Sequence, residues 1–471
     1  AVTLTPSGTT GSITLTASAA VFVSDHVNTR FRVGNKEVEV TAVASGTSAT
    51  ATVKEDLAGT EATKDWEEQA FSAHRGWPVS CCFHQDRLVI GGSRELPNRL
   101  WLSKSSDLFN FDLAEGLDDE GIEFALLSDQ VNAIRGVFSG RHLQIFTSGA
   151  EWMATGAPLT PASIQLNRQT RVGSPIDRTV LPQSIDGATL FAPRVGKGLF
   201  EYLYTDVEQA YQAANVATLA HHLVNAPVEM DYDPKERLLH VVMQDGSLAT
   251  LTAFRAEKVT AWTSQETEGL FRSVAQTGEE TYFLIERDGA FSIEVLDEAL
   301  SVDAGLAGTD DPATDTWSGL DHLDGRTVTI VGDGSVLSER VVESGQVVLE
   351  RAVSETVIGL AFTHEIKPMP PGVTELGAGV QGGRFRLVTA TFRLKDTHTL
   401  YVDAGRGLIS VPFQRMGANL LDQPLQAFSG DKRIRAYGWH RDGTTPLWRI
   451  SQSTPLPFNL LSVVAEVAAN V

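Results

Sequence analysis

Three groups of residues in this 471-residue chain have the types and spacing that chemistry requires. Gly377-Ala378-Gly379-Val380-Gln381-Gly382 matches G-x-G-x-x-G, whose glycines let a pyrophosphate approach a helix N-terminus. No apolar strand precedes it, and a period-2 run from Phe385 follows, so there is no helix end to hold phosphate and a loop is expected. His221-His222 offers two imidazoles, but neighbours on a helix point about 100° apart and cannot share a metal as i and i+4 histidines do. Asp118-Asp119-Glu120 and Asp310-Asp311 with Asp315 are the densest carboxylates. A glycosidase needs two carboxylates facing each other, one with a raised pKa. With 59 acidic residues such clusters arise by chance, and a solvated loop is the simpler reading, with incidental Ca²⁺ binding as the alternative. There is no HExxH, Walker A or G-x-S-x-G motif. We therefore assign no catalytic, cofactor-binding or metal residues, expect no cofactor, and expect the protein not to be an enzyme.

The aromatics Trp66, Phe71, Trp77, Phe83, Trp101, Phe109 and Phe111 are interleaved with Gly and Pro. Core anchors of β-hairpins are expected before a stacking platform for bases or sugars, because basic partners are sparse among them. The two cysteines, Cys81 and Cys82, are adjacent. A bridge between neighbours would be strained, so both are expected reduced and buried, with no disulfide framework.

The elements that must position these groups read as strands. Residues 11–54 alternate in short Thr- and Val-rich runs separated by Gly and Ser, the pattern of a small antiparallel unit, and the acidic stretch 55–68 reads as a linker or turn. From 66 to about 300, β-runs recur every ten to fifteen residues. Arg87-Leu88-Val89-Ile90 precedes Gly91-Gly92, Leu238 to Met243 precedes Asp245-Gly246, and Tyr282 to Ile285 precedes Asp288-Gly289. Strands punctuated this way read as successive hairpins, and repeated four-stranded meanders point to a β-propeller, with a sandwich as competitor. One short helix is expected from Asn215 as N-cap through Leu223. The acidic, Gly-rich segment 302–324 reads as a loop. The turn Gly332-Asp333-Gly334 joins strands of a following β unit that Pro368-Met369-Pro370-Pro371-Gly372 closes, and the remainder returns to alternation. The expected fold is all-β, mainly antiparallel: a small N-terminal β domain (1–65), a β-propeller-like core (66–300), an inserted small β domain (301–372), and a C-terminal β segment (373–471) that completes the core.

Charge and hydropathy exclude further classes. The net charge of −21 argues against a broad phosphate-neutralising surface, which takes clustered Lys and Arg. No apolar run approaches the ~18 residues of a membrane span, and the opening residues lack the basic start and apolar run of a signal peptide. The chain begins at Ala1, as expected of a removed initiator or of the later part of a longer protein.

Between Phe71 and Phe111 the motifs become specific: Arg75-Gly76-Trp77-Pro78, then Phe83-His84-Gln85-Asp86-Arg87-Leu88-Val89-Ile90-Gly91-Gly92-Ser93, then Pro97-Asn98-Arg99-Leu100-Trp101-Leu102-Ser103 and Phe109-Asn110-Phe111. Ile122-Glu123-Phe124, Gln130-Val131-Asn132, Phe146-Thr147-Ser148-Gly149-Ala150-Glu151-Trp152, Leu219-Ala220-His221-His222-Leu223, Gln244-Asp245-Gly246, Gly319 to Val328 and Pro455-Leu456-Pro457-Phe458 continue the register. Over residues 66–471 the chain resembles the tail nozzle proteins of short-tailed bacteriophages and related prophages, the tail tubular protein B family. The resemblance implies a structural virion protein of the tail, assembled in the host cytoplasm. It implies a homo-hexamer that meets a tail adaptor ring and tail fibres. DNA would be retained and then pass through the channel without sequence-specific binding. The chain departs from the family at its start, where such proteins carry a longer N-terminal portion. Under the resemblance Gly91-Gly92 permits a tight turn, Asp245-Gly246 forms a type I′ hairpin, Trp101 and Trp152 are core aromatics, and no active-site residue is carried over. The alternatives are a tail-associated polysaccharide-degrading or receptor-binding β-propeller.

Overall fold

The computed structural model describes residues 2–113, 116–127, 132–369, 384–413, 424–439 and 445–470. The chain forms two compact units, one of residues 1–265 and 271–281, the other of 266–270 and 282–471. Almost all of it is antiparallel β-sheet. Among the described residues the helical elements are single 3-10 turns, Ser24–His26 and Asp321–Leu323.

The first unit opens with a six-stranded sheet of Leu4–Pro6, Ser12–Ala17, Ser48–Val53, Lys36–Ser45, Arg30–Val33 and Trp66–Glu68, in that spatial order. Alternation does the work here. In Ser12–Ala17 every second side chain is buried, and Leu15, Phe31, Val38, Val40, Ala49 and Ala51 meet in one core at 0% exposure.

Four meanders follow, each a sheet of four consecutive strands. The first is Ser80–His84, Arg87–Gly91, Arg99–Leu102 and Ile122–Ala125, and the second is Ile134–Ser139, Leu143–Thr147, Glu151–Thr155 and Gln165–Thr170. The third is Gln183–Ile185, Ala188–Phe191, Phe200–Thr205 and Ala210–Asn215, and the fourth is Pro227–Asp233, Leu238–Met243, Leu248–Phe254 and Val259–Gln265. Some middle strands, Leu143–Thr147 and Ala188–Phe191, are buried along their whole length, because neighbouring meanders cover both faces. One core joins the first two meanders through Val89, Leu102, Ile145 and Trp152, and another joins the last two through Leu190, Leu239, Val241 and Leu251. An aromatic cluster of Phe146, Phe191, Tyr202 and Tyr211 lies between the second and third, with the two tyrosine rings stacked at 4.4 Å. The first strand of the first meander touches that of the second, and the first strand of the third touches that of the fourth. Such blades, laid side by side, make the core propeller-like.

Several turns differ from expectation. Asp245-Gly246 is not a type I′ turn: only Gly246 has positive φ (87°), and Met243 both accepts from Gly246 N–H (3.0 Å) and donates to Ser247 C=O (2.9 Å). That is a type I turn closed by a left-handed glycine, the three-residue hairpin. Among the described residues, two-residue turns with positive φ at both positions include Gly34-Asn35, Gln85-Asp86, Asp186-Gly187, Asp288-Gly289, Asp333-Gly334 and Ser344-Gly345. Gly91 lies within a strand, and its role is close approach: a Cβ there would stand 2.7 Å from Val137 Cγ1 and 2.8 Å from Ile134 Cγ2.

The helix expected from Asn215 does not form. Asn215 ends a strand, and its Oδ1 accepts from Ala217 N–H (2.9 Å). The i to i+3 bonds Ala220 N–H to Ala217 C=O and Leu223 N–H to Ala220 C=O then give successive tight turns.

In the second unit the segment read as a loop is instead a long strand, Asp303–Ser318, paired with Gln346–Leu360. Its glycines are packing positions: Gly308 leaves room for the Trp317 ring, 2.6 Å from where a Cβ would sit. Thr327–Gly332 and Ser335–Val336 complete that sheet around Val328, Ile330, Val347 and Ile358. Two further sheets, His364–Ile366 with Arg449–Gln452, Tyr401–Asp403 and Leu408–Ser410, and Phe428–Arg435 with Arg384–Thr397 and Leu460–Asn470, share the core of Leu387, Phe392, Val402, Ile434 and Ile450.

Candidate functional site

A propeller places its functional surface where the first strands converge, so the polar groups along those strands are the first candidates. They are used to join neighbouring meanders. Ser80 Oγ accepts from Val137 N–H (3.1 Å), fixing the first meander to the second. Arg135 donates to Arg178 C=O (3.0 Å), and Arg178 donates through Nε to Pro227 C=O (2.6 Å). Gln183 Nε2 donates to Met230 C=O and to Asp231 Oδ1, both at 3.1 Å, fixing the third meander to the fourth. Glu229 and Asp231 then accept from the backbone of the strand Leu270–Thr277 that follows the fourth meander, Val274 N–H (3.1 Å) and Gln276 N–H (2.7 Å). Carboxylates committed to backbone donors are clamps, not acid–base pairs.

Three other clusters hold reactive groups. His26, fully buried, lies with Nε2 3.1 Å from Glu68 Oε1; Arg75 grips the other carboxylate oxygen at 2.8 Å, and the His74 ring stands 4.4 Å away. The ligand atoms of His26, Glu68 and His74 fall within 4.8 Å of one another, the spacing of a His₂Glu metal set. The tautomer opposes that use. Val23 N–H donates to His26 Nδ1 (3.0 Å), so the neutral ring carries its proton on Nε2 and gives it to Glu68. A metal on Nε2 would require the proton on Nδ1, facing another donor. Burial holds the His26 pKa below its ordinary value, which keeps the ring neutral.

His84 Nδ1 lies 2.9 Å from Ser139 Oγ. Among the described residues no carboxylate is bonded to the other ring nitrogen, the third group a nucleophilic triad uses to orient its base. Glu151, at 0% exposure, accepts from Thr170 Oγ1, Gly173 N–H (2.7 Å) and Val172 N–H (3.2 Å); desolvation pushes its pKa up, and these donors pull it back. It organises the turn after the second meander. A cavity of about 220 Å³ lies between the third and fourth meanders, lined by Ile185, Leu190, Leu251 and Ala253, with the Glu201–Arg255 ion pair at its wall.

The residues singled out from the sequence are not brought together. His221 and His222 are exposed, their rings 6.3 Å apart, and His221 Nδ1 faces Thr218 C=O. Asp118 and Asp119 are exposed, and Glu120 is buried with Oε2 accepting from Leu117 N–H. Asp310, Asp311 and Asp315 lie exposed on the long strand. The glycines 377–382, with Gln130, Val131 and the prolines 370–371, fall outside the described residues.

Of the aromatics expected in the core, Trp101 is buried against Phe71 at 4.9 Å, and Trp152 is buried as well. Trp77, Phe83 and Phe109 are instead exposed, at 64%, 64% and 88%. Cys81 is exposed too; Cys82 is half-buried, and desolvation pushes its thiol up to about 12. Alternation explains Cys81 and Phe83: both point to the face of Ser80–His84 opposite the buried Ser80 and His84. Sequence reasoning missed Arg87, 2% exposed, which donates to Ser103 C=O (2.6 Å), Glu120 C=O (2.6 Å) and Asp118 C=O (2.8 Å). Its one signal was a cation heading an apolar strand.

No family model matches the chain, and no curated protein is detectably similar to it. Among solved structures, the β-propeller domain of Cps50 (Swd1) from Myceliophteria thermophila aligns at 11% identity over 59% of this chain and 88% of its own, with a TM-score of 0.30. Chaetomium thermophilum Sqt1, bound to the N-terminus of ribosomal protein L10, aligns at 13% over 74% and 92%, TM-score 0.33. An auxiliary nutrient binding protein from Bacteroides thetaiotaomicron aligns at 10% over 76% and 97%, TM-score 0.28. The strand order, not these distant likenesses, makes the core propeller-like.

Proposed function

We propose that this chain is a structural virion protein, the nozzle of a short-tailed phage tail. In this reading it is a homo-hexamer docked to a tail adaptor ring and tail fibres, retaining DNA and then conducting it during ejection. The observation that carries the reading is the ordered series of motifs over residues 66–471. Its most specific part, Arg87 to Trp101, lies in the middle strands of the first meander, where Arg87, Gly91 and Trp101 are each held by packing or hydrogen bonds. A conduit needs walls rather than reactive groups, and the clamped first strands supply a rigid one. Six copies would carry six times −21, a formal charge of −126, which disfavours sticking to phosphates at close range.

Negative-stain imaging of the purified protein, alone and with its adaptor ring, tests this. A six-fold ring with an open bore is the expected result; a monomer or trimer without a bore overturns it.

A second reading, a tail-associated receptor-binding or polysaccharide-degrading propeller, is favoured by one observation. Trp77, Phe83 and Phe109 are exposed, as sugar-stacking groups would be. Incubation with host capsule or cell-wall glycans, with release of reducing ends measured, separates the two: turnover selects the second.

A further inference from the structure

The charge of this chain is segregated. Residues 384–471 hold eleven Lys or Arg against six Asp or Glu, a net of +5, whereas residues 1–383 hold 27 against 53, a net of −26. Within the basic region, a hollow of about 360 Å³ opens between the hairpin Tyr401–Asp403 to Leu408–Ser410 and the strand Phe428–Arg435. Arg406, Arg433, Arg435, Ser410 and Tyr437 line it, and no carboxylate does. The nearby acids are engaged elsewhere. Asp431 is gripped by Arg393 at 2.9 and 3.0 Å, and Asp403 accepts from Gly405 N–H and Gly407 N–H and pairs with Arg449. Glu466 is the exception: it accepts from Thr389 Oγ1 (3.2 Å) and also pairs with Arg433 at 3.8 Å. Among the described residues Arg435 and Arg406 form no ion pair, although an acidic chain has carboxylates to spare.

Aromatic rings are interleaved with these cations. In the lining Arg406 lies over Tyr437 (3.3 Å to the ring centre); outside it, two residues beyond Tyr437 in the chain, Trp439 lies under Arg386 (5.6 Å), and both rings are more than two-fifths exposed. Arg386 Nε is buried and unpartnered. The backbone holds the set in place: Tyr437 N–H donates to Ala404 C=O (3.0 Å) and Ala436 N–H to Val388 C=O (3.2 Å). Gly405 is required there, since a Cβ would collide with Tyr437 C=O.

We propose that this groove binds single-stranded nucleic acid. Arg386, Arg406, Arg433 and Arg435 would take the phosphodiester oxygens through planar guanidinium forks, and Tyr437 and Trp439 would stack on bases. Charge complementarity selects an anionic ligand, guanidinium suits phosphate, and the paired aromatic faces select bases over a bare anion. The inference does not rest on the tail reading, and either can fail while the other stands.

The test is fluorescence anisotropy of the full chain with a labelled oligodeoxynucleotide of about 20 nucleotides. With four phosphate contacts, log affinity should fall against log salt with a slope of about −3, a loss of about fifty-fold between roughly 50 and 200 mM salt. Replacing Arg433 and Arg435 by Gln should flatten the slope by about 1.4, while Arg30→Gln, in the N-terminal sheet, should leave it unchanged. Tyr437→Ala or Trp439→Ala should weaken binding about tenfold at constant slope. If the Gln pair fails to fold, by circular dichroism, the Lys pair R433K/R435K should keep the slope and lose affinity. Four results overturn the proposal: no binding at about 50 mM salt; binding indifferent to the arginines; full displacement by inorganic phosphate with no effect of the aromatic variants; or binding of a sulfated polysaccharide but not of the oligonucleotide.

Discussion

A guanidinium buried among three backbone carbonyls, as Arg87 is, holds Asp118 and Glu120 against the first meander at Ser103. Desolvation lowers its pKa, with Asp119 opposing, but an arginine remains charged, so its stability comes from satisfying those carbonyls. Arg87→Leu leaves three acceptors without donors and should cost about 3 kcal/mol or more. Arg87→Lys keeps the charge but cannot span three carbonyls, and should cost about 2 kcal/mol. Urea midpoints measure both, and an unchanged midpoint for Arg87→Leu would show that water satisfies the carbonyls equally well. Gly91→Ala puts a methyl group against Val137 and Ile134, so the two meanders must separate locally. A loss of about 1–3 kcal/mol is expected, and Val137→Ala in the same chain should recover part of it.

Between elements, the decisive contacts are the side-chain clamps. Asp231 joins Gln183, Tyr232 N–H and Gln276 N–H, so it ties three successive first strands. Asp231→Ala should cost about 1–3 kcal/mol and should accelerate hydrogen exchange at the Gln276 amide while leaving Val241, inside the fourth meander, protected. Uniform acceleration at both amides would mean that the clamp stabilises the fold globally rather than this junction. Strands and two-residue turns were legible in the sequence, because alternation and Asp-Gly act over a few residues: Arg87 to Ile90, Leu238 to Met243 and Asp288-Gly289 all form where the pattern places them. What was illegible depends on partners distant in sequence. The segment 303–318 looks like a loop by its Gly and Asp content, yet pairing with Gln346–Leu360 and the space its glycines leave for Trp317 make it a strand. The clamps share that opacity, since nothing near Asp231 marks Gln276 as its partner. The arginine groove draws on strands and turns some fifty residues apart, and no pattern local to either marks it.

At the scale of the whole molecule, the histidines make stability depend on pH. His26, His84, His142, His240 and His364 all have pKa values lowered first by desolvation, and His240 falls to about 4 despite the opposing pull of Asp233 and Asp231. Unfolded, each would titrate near 6.5. Between about 4 and 6.5 the unfolded chain therefore binds protons that the folded chain refuses, and stability rises with pH across that window. As pH falls, stability is fully present above 6.5, declines below it, and levels off once the folded state protonates as well. His240 alone, at about 4 when folded, accounts for about 3 kcal/mol, and the other four add to it. Glu151 opposes the trend, because its raised pKa lets the folded state take a proton first once the pH drops toward the ordinary carboxylate range. Melting temperature should therefore fall steadily from pH 7 to 5. His240→Gln, which keeps a hydrogen-bonding side chain and removes the titration, should flatten the curve more than any other single histidine substitution. A profile flat over that range, or one unaltered in His240→Gln, would show that the buried rings exchange protons with solvent at little cost.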